Sequence, residues 1–344
     1  MYFQLLLLFI IYQFQGERSS TAPYYLLKGK KSGQTIQDVT YFSLHPYFGL
    51  YPKLSKEIYE VEIEKLLAER LIVMNESTLA ITEKGLHKIV SARRPLYNGW
   101  ILRGKEFVFW ARVELIVQTL SQFQGNEKKF VPVQKSNDVH QFVKEFLQQR
   151  DFQSSSFGAN FKQQLFGLLE NPQLLEIHRH LFVYRLSGYK NSGLTWEQLA
   201  SHHQMTVLDV KFLFIECLHI LLNDITEEKY PDFHALTKGI YVQTTLTESA
   251  LKTSNLFGKG YSIEQIASMR FLKENTIEDH VIEIVSADPN FPIHSFIADE
   301  QIQQVLQIAR ERQTKKLKTI REQLPELSYF QIRLALTKGG EVNG

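Results

Sequence analysis

Two close pairs of histidines are the side chains of this sequence best suited to bind a metal. His178 and His180 lie two residues apart, so on a helix they would point in different directions, and His202 and His203 are adjacent. Neither pair by itself places two ligands on one face of a helix, as a zinc site there requires. We interpret all four as structural or surface histidines.

Other motifs that carry chemistry are also missing from the sequence. The phosphate-binding pattern G-x-x-x-x-G-K followed by Ser or Thr does not occur, and "FGKG" at 257–260 lacks its spacing. The zinc-protease pattern H-E-x-x-H is absent, and the single cysteine, Cys217, lies in an apolar run without a recognisable catalytic partner. We therefore expect a protein that is not an enzyme and that uses no metal and no cofactor.

Residues 261–285, "YSIEQIASMRFLKENTIEDHVIEIV", have the outline of a helix-turn-helix that reads DNA. In its second helix Ile277, Val281 and Ile284 recur at spacings of four and three, which predicts that they face the core. The outward positions are then Glu274, Asn275, Glu278, Asp279 and Glu283. DNA is a dense line of negative charge, so this acidic helix has the wrong sign for a groove reader. We take these five residues as candidates for contact with a protein partner.

Basic residues are concentrated in two other parts of the chain. Near the amino terminus they are Lys28, Lys30, Lys31, Lys84, Lys88, Arg93 and Arg94. In the segment 309–321, which we predict to be a basic helix, they are Arg310, Arg312, Lys315, Lys316, Lys318 and Arg321. Both groups are candidates to contact the DNA backbone, which needs charge but no sequence reading. Ordinary solvent-exposed charged faces are the alternative.

A repeated capping pattern organises the second half of the chain. "TWEQLAS" at Thr195 aligns with "SIEQIAS" at Ser262, and each places Gln three residues after the hydroxyl residue. This spacing predicts a capping box, in which the hydroxyl and the Gln satisfy each other's backbone N–H groups. A third copy occurs at Ser328 and Gln331. The pattern predicts an array of helix-turn-helix units.

These patterns together predict a mainly α fold. Residues 1–95 read as a winged-helix-like domain, because amphipathic helical stretches are followed by one short hairpin near 71–82. Residues 96–185 read as a helical connecting region with loops near 122–138 and 151–160, and its aromatic residues at 100–110 are expected in the core. Residues 186–290 read as tandem helix-turn-helix units, and residues 291–344 as the basic helix followed by the third hairpin of helices.

Composition limits the class of protein. The 344 residues are 44% hydrophobic and 22% charged, which is typical of globular domains, and the net charge of +2 excludes a polybasic protein of the histone type. One cysteine allows no internal disulfide, which favours a reducing cytoplasm. The apolar stretch at the amino terminus has about 14 residues where a membrane span needs roughly 20. We expect a buried core helix there, in a protein that is cytoplasmic and makes no membrane contact.

Three segments carry a resemblance to a known family. "GERSSTAPYYLLKGKKSGQTIQD", "LSGYKNSGLTWEQLA" and "FGKGYSIEQIASMRFLKENTIEDHVIEIV" resemble the YpbB-like proteins of bacteria, whose genes commonly neighbour that of a RecQ-type helicase. The last segment and "SYFQIRLAL" are also similar to the helicase helix-turn-helix domain of some RecQ-family helicases. Regulators of the LuxR type have a similar helix-turn-helix pattern, but they usually carry a capping Ser at the position of Lys273. This sequence departs from their pattern there.

The resemblance implies an accessory or adaptor protein for a RecQ-type DNA helicase, its partner, that lacks the motor itself. The basic groups would contact DNA without sequence specificity, and the acidic helix would contact the partner protein. One alternative is a helix-turn-helix transcriptional regulator that binds a duplex operator. Another is a scaffold that makes no contact with nucleic acid.

Overall fold

The computed structural model describes residues 1–127, 129–242, 246–288 and 290–339. Within these residues the chain is mainly helical, as the sequence predicts, with one small hairpin. The helices are α1 (Tyr2–Phe14), α2 (Ala22–Lys28), α3 (Gly33–Tyr41), α4 (Lys56–Ala68), α5 (Glu83–Val90), α6 (Gly99–Leu102), α7 (Glu106–Gln124), α8 (Asn137–Gln148), α9 (Ser155–Leu169), α10 (Glu176–Arg185), α11 (Trp196–His202), α12 (Val207–Asp224), α13 (Pro231–Leu236), α14 (Glu248–Phe257), α15 (Ile263–Arg270), α16 (Glu274–Ala287), α17 (Asp299–Glu311), α18 (Leu317–Arg321) and α19 (Tyr329–Gly339). The two antiparallel strands are β1 (Ile72–Asn75) and β2 (Thr78–Ile81), paired from Ile72 opposite Ile81 to Asn75 opposite Thr78.

The chain forms two compact units, each built from segments that are far apart in sequence. Unit 1 contains Met1–Leu6 and Arg94–Val242, and unit 2 contains Leu7–Arg93 and the described part of Gln243–Gly344. The prediction of four consecutive segments did not include the pairing of Leu7–Arg93 with the segment after residue 242 in one unit. This pairing matters because both predicted basic groups fall largely within unit 2.

Unit 1 is organised around α12, which is buried along most of its length. This helix is apolar nearly all round, as a helix enclosed by others must be. The ring of Phe214 on α12 meets the ring of Trp110 edge-on, with centroids 4.9 Å apart, and Trp110 meets Phe182 of α10 in the same way. The prediction that the aromatic residues at 100–110 belong to a core is confirmed for Trp100, Phe109 and Trp110.

Glu216 of α12 is a buried carboxylate that ties three other parts of unit 1 together. It accepts hydrogen bonds from the Tyr2 hydroxyl and from the Leu96 backbone N–H, the latter at 2.7 Å. His178 Nε2 lies 3.2 Å from the same carboxylate. The Leu175 N–H donates to His178 Nδ1, so Nε2 carries the ring hydrogen and points it at Glu216. Two hydrogen bonds and the adjacent imidazole thereby stabilise a charge in the core.

Unit 2 is organised around α16, which packs against α14, α15, α19 and α3.

The predicted capping boxes are present in both copies of the repeat, the first in unit 1 and the second in unit 2, and in the third copy. The Ser262 N–H donates to Gln265 Oε1 at 2.9 Å and the Gln265 N–H to the Ser262 hydroxyl at 3.3 Å, and Thr195 with Gln198 forms the same pair of bonds. Ser328 and Gln331 do so as well. Because these bonds are local, the sequence alone was sufficient to predict them.

Two predictions about local structure are wrong. The segment 309–321 is not one helix, because α17 ends at Glu311, Gln313 has a left-handed backbone with φ of 47°, and α18 begins only at Leu317. The loop expected at 151–160 is shorter than predicted, since α9 begins at Ser155 with the Ser154 hydroxyl as its cap. The amino-terminal helix α1 is buried as predicted, and no helix of the described residues is long and apolar enough to cross a membrane.

Candidate functional site

The helix that would read DNA in a regulator, α16, is enclosed by its own unit. Its buried residues are Ile277, His280, Val281, Ile282, Ile284, Val285 and Ser286. The three predicted core positions are confirmed, but Ile282 and Val285 add a second apolar stripe that packs too. Among the five residues expected to face outward, Glu274 and Asn275 in the first turn are exposed. A major groove would therefore meet only the amino-terminal end of this helix.

The three remaining acidic residues of α16, Glu278, Asp279 and Glu283, are partly buried and not fully exposed. Asp279 forms an ion pair with Arg333 of α19. Glu283 accepts hydrogen bonds from the Thr247 N–H and hydroxyl, the latter at 3.1 Å, and so joins α16 to the start of α14. Glu278 is partly buried, and burial raises its pKa, with Asp279 and Glu274 adding repulsion against the attraction of Arg333. Asp279 and Glu283 thus join α16 to neighbouring elements of unit 2, and the predicted role of these carboxylates in partner contact stays a prediction.

The turn between α15 and α16 is the most exposed part of the helix-turn-helix. Phe271 has a left-handed backbone with φ of 55° and a side chain that is 95% exposed. Met269 and Leu272, on either side of it, are also exposed. Arg270 between them turns inward, where its guanidinium donates to the Ser249 carbonyl at 2.8 Å and locks α15 to α14. Below we call Met269, Phe271 and Leu272 the turn patch.

The predicted basic residues of 310–321 lie mostly at the surface of unit 2. Arg310, Arg312, Lys316, Lys318 and Arg321 are exposed, whereas Lys315 is partly buried. The break in the helix spreads these charges over the end of α17, a short loop and α18. A spread surface of this kind suits contact with successive phosphates along a backbone, which needs positive charge without fixed orientation.

Basic side chains from the two ends of the chain meet around one aromatic ring. The Arg18 guanidinium lies 4.7 Å from the ring centroid of Phe42, and Lys315 Nζ lies 5.0 Å from the same centroid. Glu17 accepts the Lys315 backbone N–H at 2.9 Å, which fixes the loop after α17 to the segment after α1. Arg18 also pairs with Asp38 at 2.6 Å. Burial lowers the pKa of Lys315, and the nearby charge of Glu17 opposes this.

The other amino-terminal cations have varied surroundings. Lys30 is exposed, lies 4.0 Å from the Tyr25 ring and lines a recess together with Arg18. Lys28 donates to the Leu54 carbonyl at 3.4 Å, and Lys31 is exposed. A second group lies beside the hairpin, where Lys84 Nζ donates to the Glu69 carbonyl at 2.8 Å and Lys88 lies 3.8 Å from the Glu69 carboxylate. Arg93 and Arg94 are exposed.

The structure thus joins part of the two predicted basic groups and leaves another part separate. We call Lys30, Arg310, Lys315, Lys316 and Lys318, together with the largely buried Arg18, the basic surface of unit 2. Arg18 was missed from the sequence because a single Arg beside Glu17 carries no pattern. Its role depends on the ring of Phe42 and the loop after α17, which only the fold brings together.

The four paired histidines and the cysteine are packed against other side chains of unit 1. His178 is buried against Glu216, whereas the rings of His180 and His203 stack with centroids 5.9 Å apart and His202 lies edge-on to His203. In the described ranges no three His, Cys, Asp or Glu side chains are placed to hold one metal ion. Cys217 is buried, which raises the pKa of its thiol.

Comparison with known proteins gives two matches. Residues 249–336, from α14 to α19, match the family described as a helix-turn-helix domain. The whole chain is similar to Protein YpbB of Bacillus subtilis strain 168, with 32% identity over 348 aligned residues that cover 98% of this chain and 97% of that protein. No solved structure matches.

Proposed function

This chain belongs to the YpbB family, and we propose that it is a non-enzymatic accessory protein of a RecQ-type DNA helicase. In this proposal the basic surface of unit 2 binds the DNA backbone without reading sequence. The helix-turn-helix domain serves as a structural core and presents the turn patch, with Glu274 and Asn275 beside it, to the helicase. The observation that carries the proposal is the meeting of basic residues from distant parts of the chain around Phe42, while seven of the 14 residues of α16 are buried within unit 2.

The order of elements in unit 2 supports a nucleic-acid role for the amino-terminal part. The helices α2, α3 and α4 are followed by the β1–β2 hairpin, which is the order of a winged helix. The hairpin itself exposes Val73 and Met74 rather than basic residues, so it is poorly suited to phosphate contact. We therefore place DNA contact on Lys30 and on the exposed basic residues from Arg310 onward, and not on the hairpin or on Arg18, whose side chain is largely buried and paired with Asp38.

The turn patch supports the partner role. Large exposed apolar side chains side by side mark protein contact sites more often than nucleic-acid sites. A phenylalanine in a left-handed backbone costs of order 1–3 kcal/mol relative to the glycine that normally occupies such a turn. The chain retains an exposed ring at this cost, which is accounted for if the ring binds a pocket on another protein.

A transcriptional regulator is the alternative that the helix-turn-helix match brings to mind. Such a protein would place the exposed side of α16 in the major groove, where each specific contact contributes about 1–3 kcal/mol. Only Glu274 and Asn275 are free to enter a groove, and the first of them repels phosphate. The arrangement favours the accessory role over operator reading.

Changing both exposed residues of α16 separates these two functions. With Glu274→Ala and Asn275→Ala together, we expect affinity for DNA to stay within about twofold, or to rise slightly as one negative charge is removed. Fluorescence anisotropy with duplexes of several sequences measures it. A regulator that reads DNA with Asn275 would instead lose about tenfold or more in affinity for its preferred sequence and keep its weak binding to others.

Removing the ring of Phe271 tests the partner role. Phe271→Asn keeps a residue that tolerates the left-handed turn, so the fold should be retained, and we expect affinity for the RecQ-type helicase of the same organism to fall at least about tenfold. Binding is measured by interferometry with immobilised helicase, and circular dichroism checks the fold. The matched control is Val90→Asn, which removes another highly exposed apolar side chain of unit 2. Wild-type affinity of the Phe271 variant would reject the turn patch, and no binding by the unaltered protein would reject the accessory role.

A further inference from the structure

A cavity of about 690 Å³ lies within unit 2 beside the basic surface. It is formed where the carboxyl ends of α1, α3 and α17 approach α19. Its size falls in the range of pockets that hold one small organic ligand, roughly 300–1,000 Å³. The helix-turn-helix match and the sequence motifs leave this cavity without a role.

The side chains of the cavity have the chemistry of an anion site with a polar wall. Arg310 and Lys315 supply two positive charges, and no Asp or Glu lines the cavity in the part of the chain that the structure describes. Glu17 lies behind Lys315, but its carboxylate accepts the Lys315 backbone N–H. Amide groups come from Gln13, Gln15 and Gln313, and Leu306 and Leu336 give an apolar wall. Amides that both donate and accept are suited to the edges of a heterocyclic base.

Three residues of the lining have a backbone conformation that normally selects glycine. Gln15 has φ of 52°, Ser43 of 51° and Gln313 of 47°. Each follows the last turn of a helix, where a left-handed glycine closes the helix without steric cost. The chain keeps polar side chains at three such positions around one cavity. A strained residue is grounds for seeking a function of its side chain, and here the three side chains share a ligand-sized space.

The helix ends themselves do not require the two cations. After α3 the Leu44 N–H donates to the Val39 carbonyl at 2.8 Å, and after α17 the Thr314 N–H donates to the Ala309 carbonyl at 3.1 Å. These bonds satisfy carbonyl groups that would otherwise attract positive charge at a helix carboxyl end. Closure of these helix ends therefore does not account for the two basic side chains in the lining of the cavity.

We propose that this cavity binds a nucleoside phosphate, either free or as one unit of a nucleic-acid strand. Arg310 and Lys315 hold the phosphate, and Gln13, Gln15 and Gln313 contact the base. A phosphate between two cations gains charge-assisted hydrogen bonds, which are the stronger kind. The inference rests on the proposed function only in that Arg310 and Lys315 belong to the basic surface.

Replacing the strained glutamines by glycine tests the cavity without weakening the fold. The double variant Gln15→Gly and Gln313→Gly removes two side chains of the lining and gives each turn the residue that it favours. We expect the melting temperature to stay unchanged or to rise and the affinity for a fluorescent deoxyadenosine monophosphate to fall at least tenfold. The matched control is Gln204→Gly, a glutamine with φ of 52° in unit 1, outside the cavity. It should leave nucleotide affinity unchanged.

Competing probes distinguish a free nucleotide from a unit of a strand as the ligand. They also separate the cavity proposal from the proposed DNA contact on the basic surface. Fluorescent deoxyadenosine monophosphate is titrated against the full chain, and then displaced with inorganic phosphate, unlabelled nucleotide or a 5′-phosphorylated oligonucleotide. Displacement by the strand as well as the nucleotide supports a site for a strand unit, and displacement by the nucleotide alone supports a free nucleotide. Equal displacement by inorganic phosphate overturns the inference, as does nucleotide binding that the double variant leaves intact. If DNA binds and the nucleotide does not, the cavity proposal fails while the proposed DNA contact stands. If the nucleotide binds and DNA does not, the cavity proposal stands while the proposed DNA contact fails.

Discussion

Reversing the charge of Arg310, Lys316 and Lys318 to Glu is expected to lower affinity for DNA about 100-fold or more near 0.1 M salt. Each phosphate contact that is lost removes the release of about one counterion from the DNA, which is worth nearly a factor of ten at that salt concentration. The three side chains lie on the basic surface of unit 2 and are exposed, so the substitutions should leave the fold intact. Anisotropy titrations against a forked DNA of arbitrary sequence measure the affinity, and the slope of its salt dependence should become shallower by about three.

A control with the same change in net charge separates the effect of the basic surface from that of net charge. Lys56, Lys229 and Lys252 are exposed and pair with neighbouring carboxylates at 3.3, 3.1 and 2.7 Å. Reversing these three charges should lower DNA affinity far less, because only the long-range field changes and salt screens it beyond about 10 Å. Equal losses in both triple variants would show that net charge, and not the basic surface, governs binding.

Replacing Glu216 by Leu is expected to destabilise unit 1 by about 3–5 kcal/mol, the usual cost of removing one partner from a buried charged network. The substitution leaves the Tyr2 hydroxyl, the Leu96 N–H and His178 Nε2 without the carboxylate that they face. Glu216→Gln keeps one oxygen that accepts hydrogen bonds and should cost less. Denaturant unfolding, followed by hydrogen exchange of α10 and α12, measures the loss within unit 1. Equal stability of the Leu variant and the unaltered protein would contradict the role of Glu216.

The same carboxylate gives the stability of unit 1 a defined pH dependence. Burial by itself would raise the pKa of Glu216, but the adjacent His178 imidazole and the bonds from Tyr2 and Leu96 outweigh it and lower the pKa. A carboxyl with a lowered pKa in the folded state contributes stability above its unfolded pKa of about 4.3, and this is lost as the pH falls through the folded value. The Glu216→Gln variant should therefore lose less stability on acidification than the unaltered protein.

Local features of this fold could be predicted from the sequence because neighbouring residues determine them. The capping boxes at Thr195, Ser262 and Ser328 depend on residues three apart, and the burial of α12 follows from its continuous apolar sequence. The three inward positions of α16 follow from helical spacing in the same way. Such features need no knowledge of distant parts of the chain.

Features that depend on distant contacts could not be predicted. The outward side of α16 packs partly against α3 and α19, so Asp279 pairs with Arg333 although its side chain stays 47% exposed. The break at Gln313 carries no Gly or Pro to mark it, since the chain accepts a strained glutamine there. Arg18 gains its place on the basic surface only because Phe42 and Lys315 are brought to it from other segments. Each of these errors concerns the candidate site, which depends on long-range packing more than the helices do.

The most decisive measurement is the salt dependence of DNA binding by the unaltered protein. Affinities for forked, single-stranded and several unrelated duplex DNAs are measured by anisotropy between 50 and 200 mM salt. If the basic surface binds the DNA backbone, binding weakens steeply with salt, with a slope on a log–log plot of about −3 or steeper, and does not depend on the duplex sequence. Strong preference for one duplex sequence, or no binding to any of these DNAs at 50 mM salt, would contradict backbone binding by the basic surface.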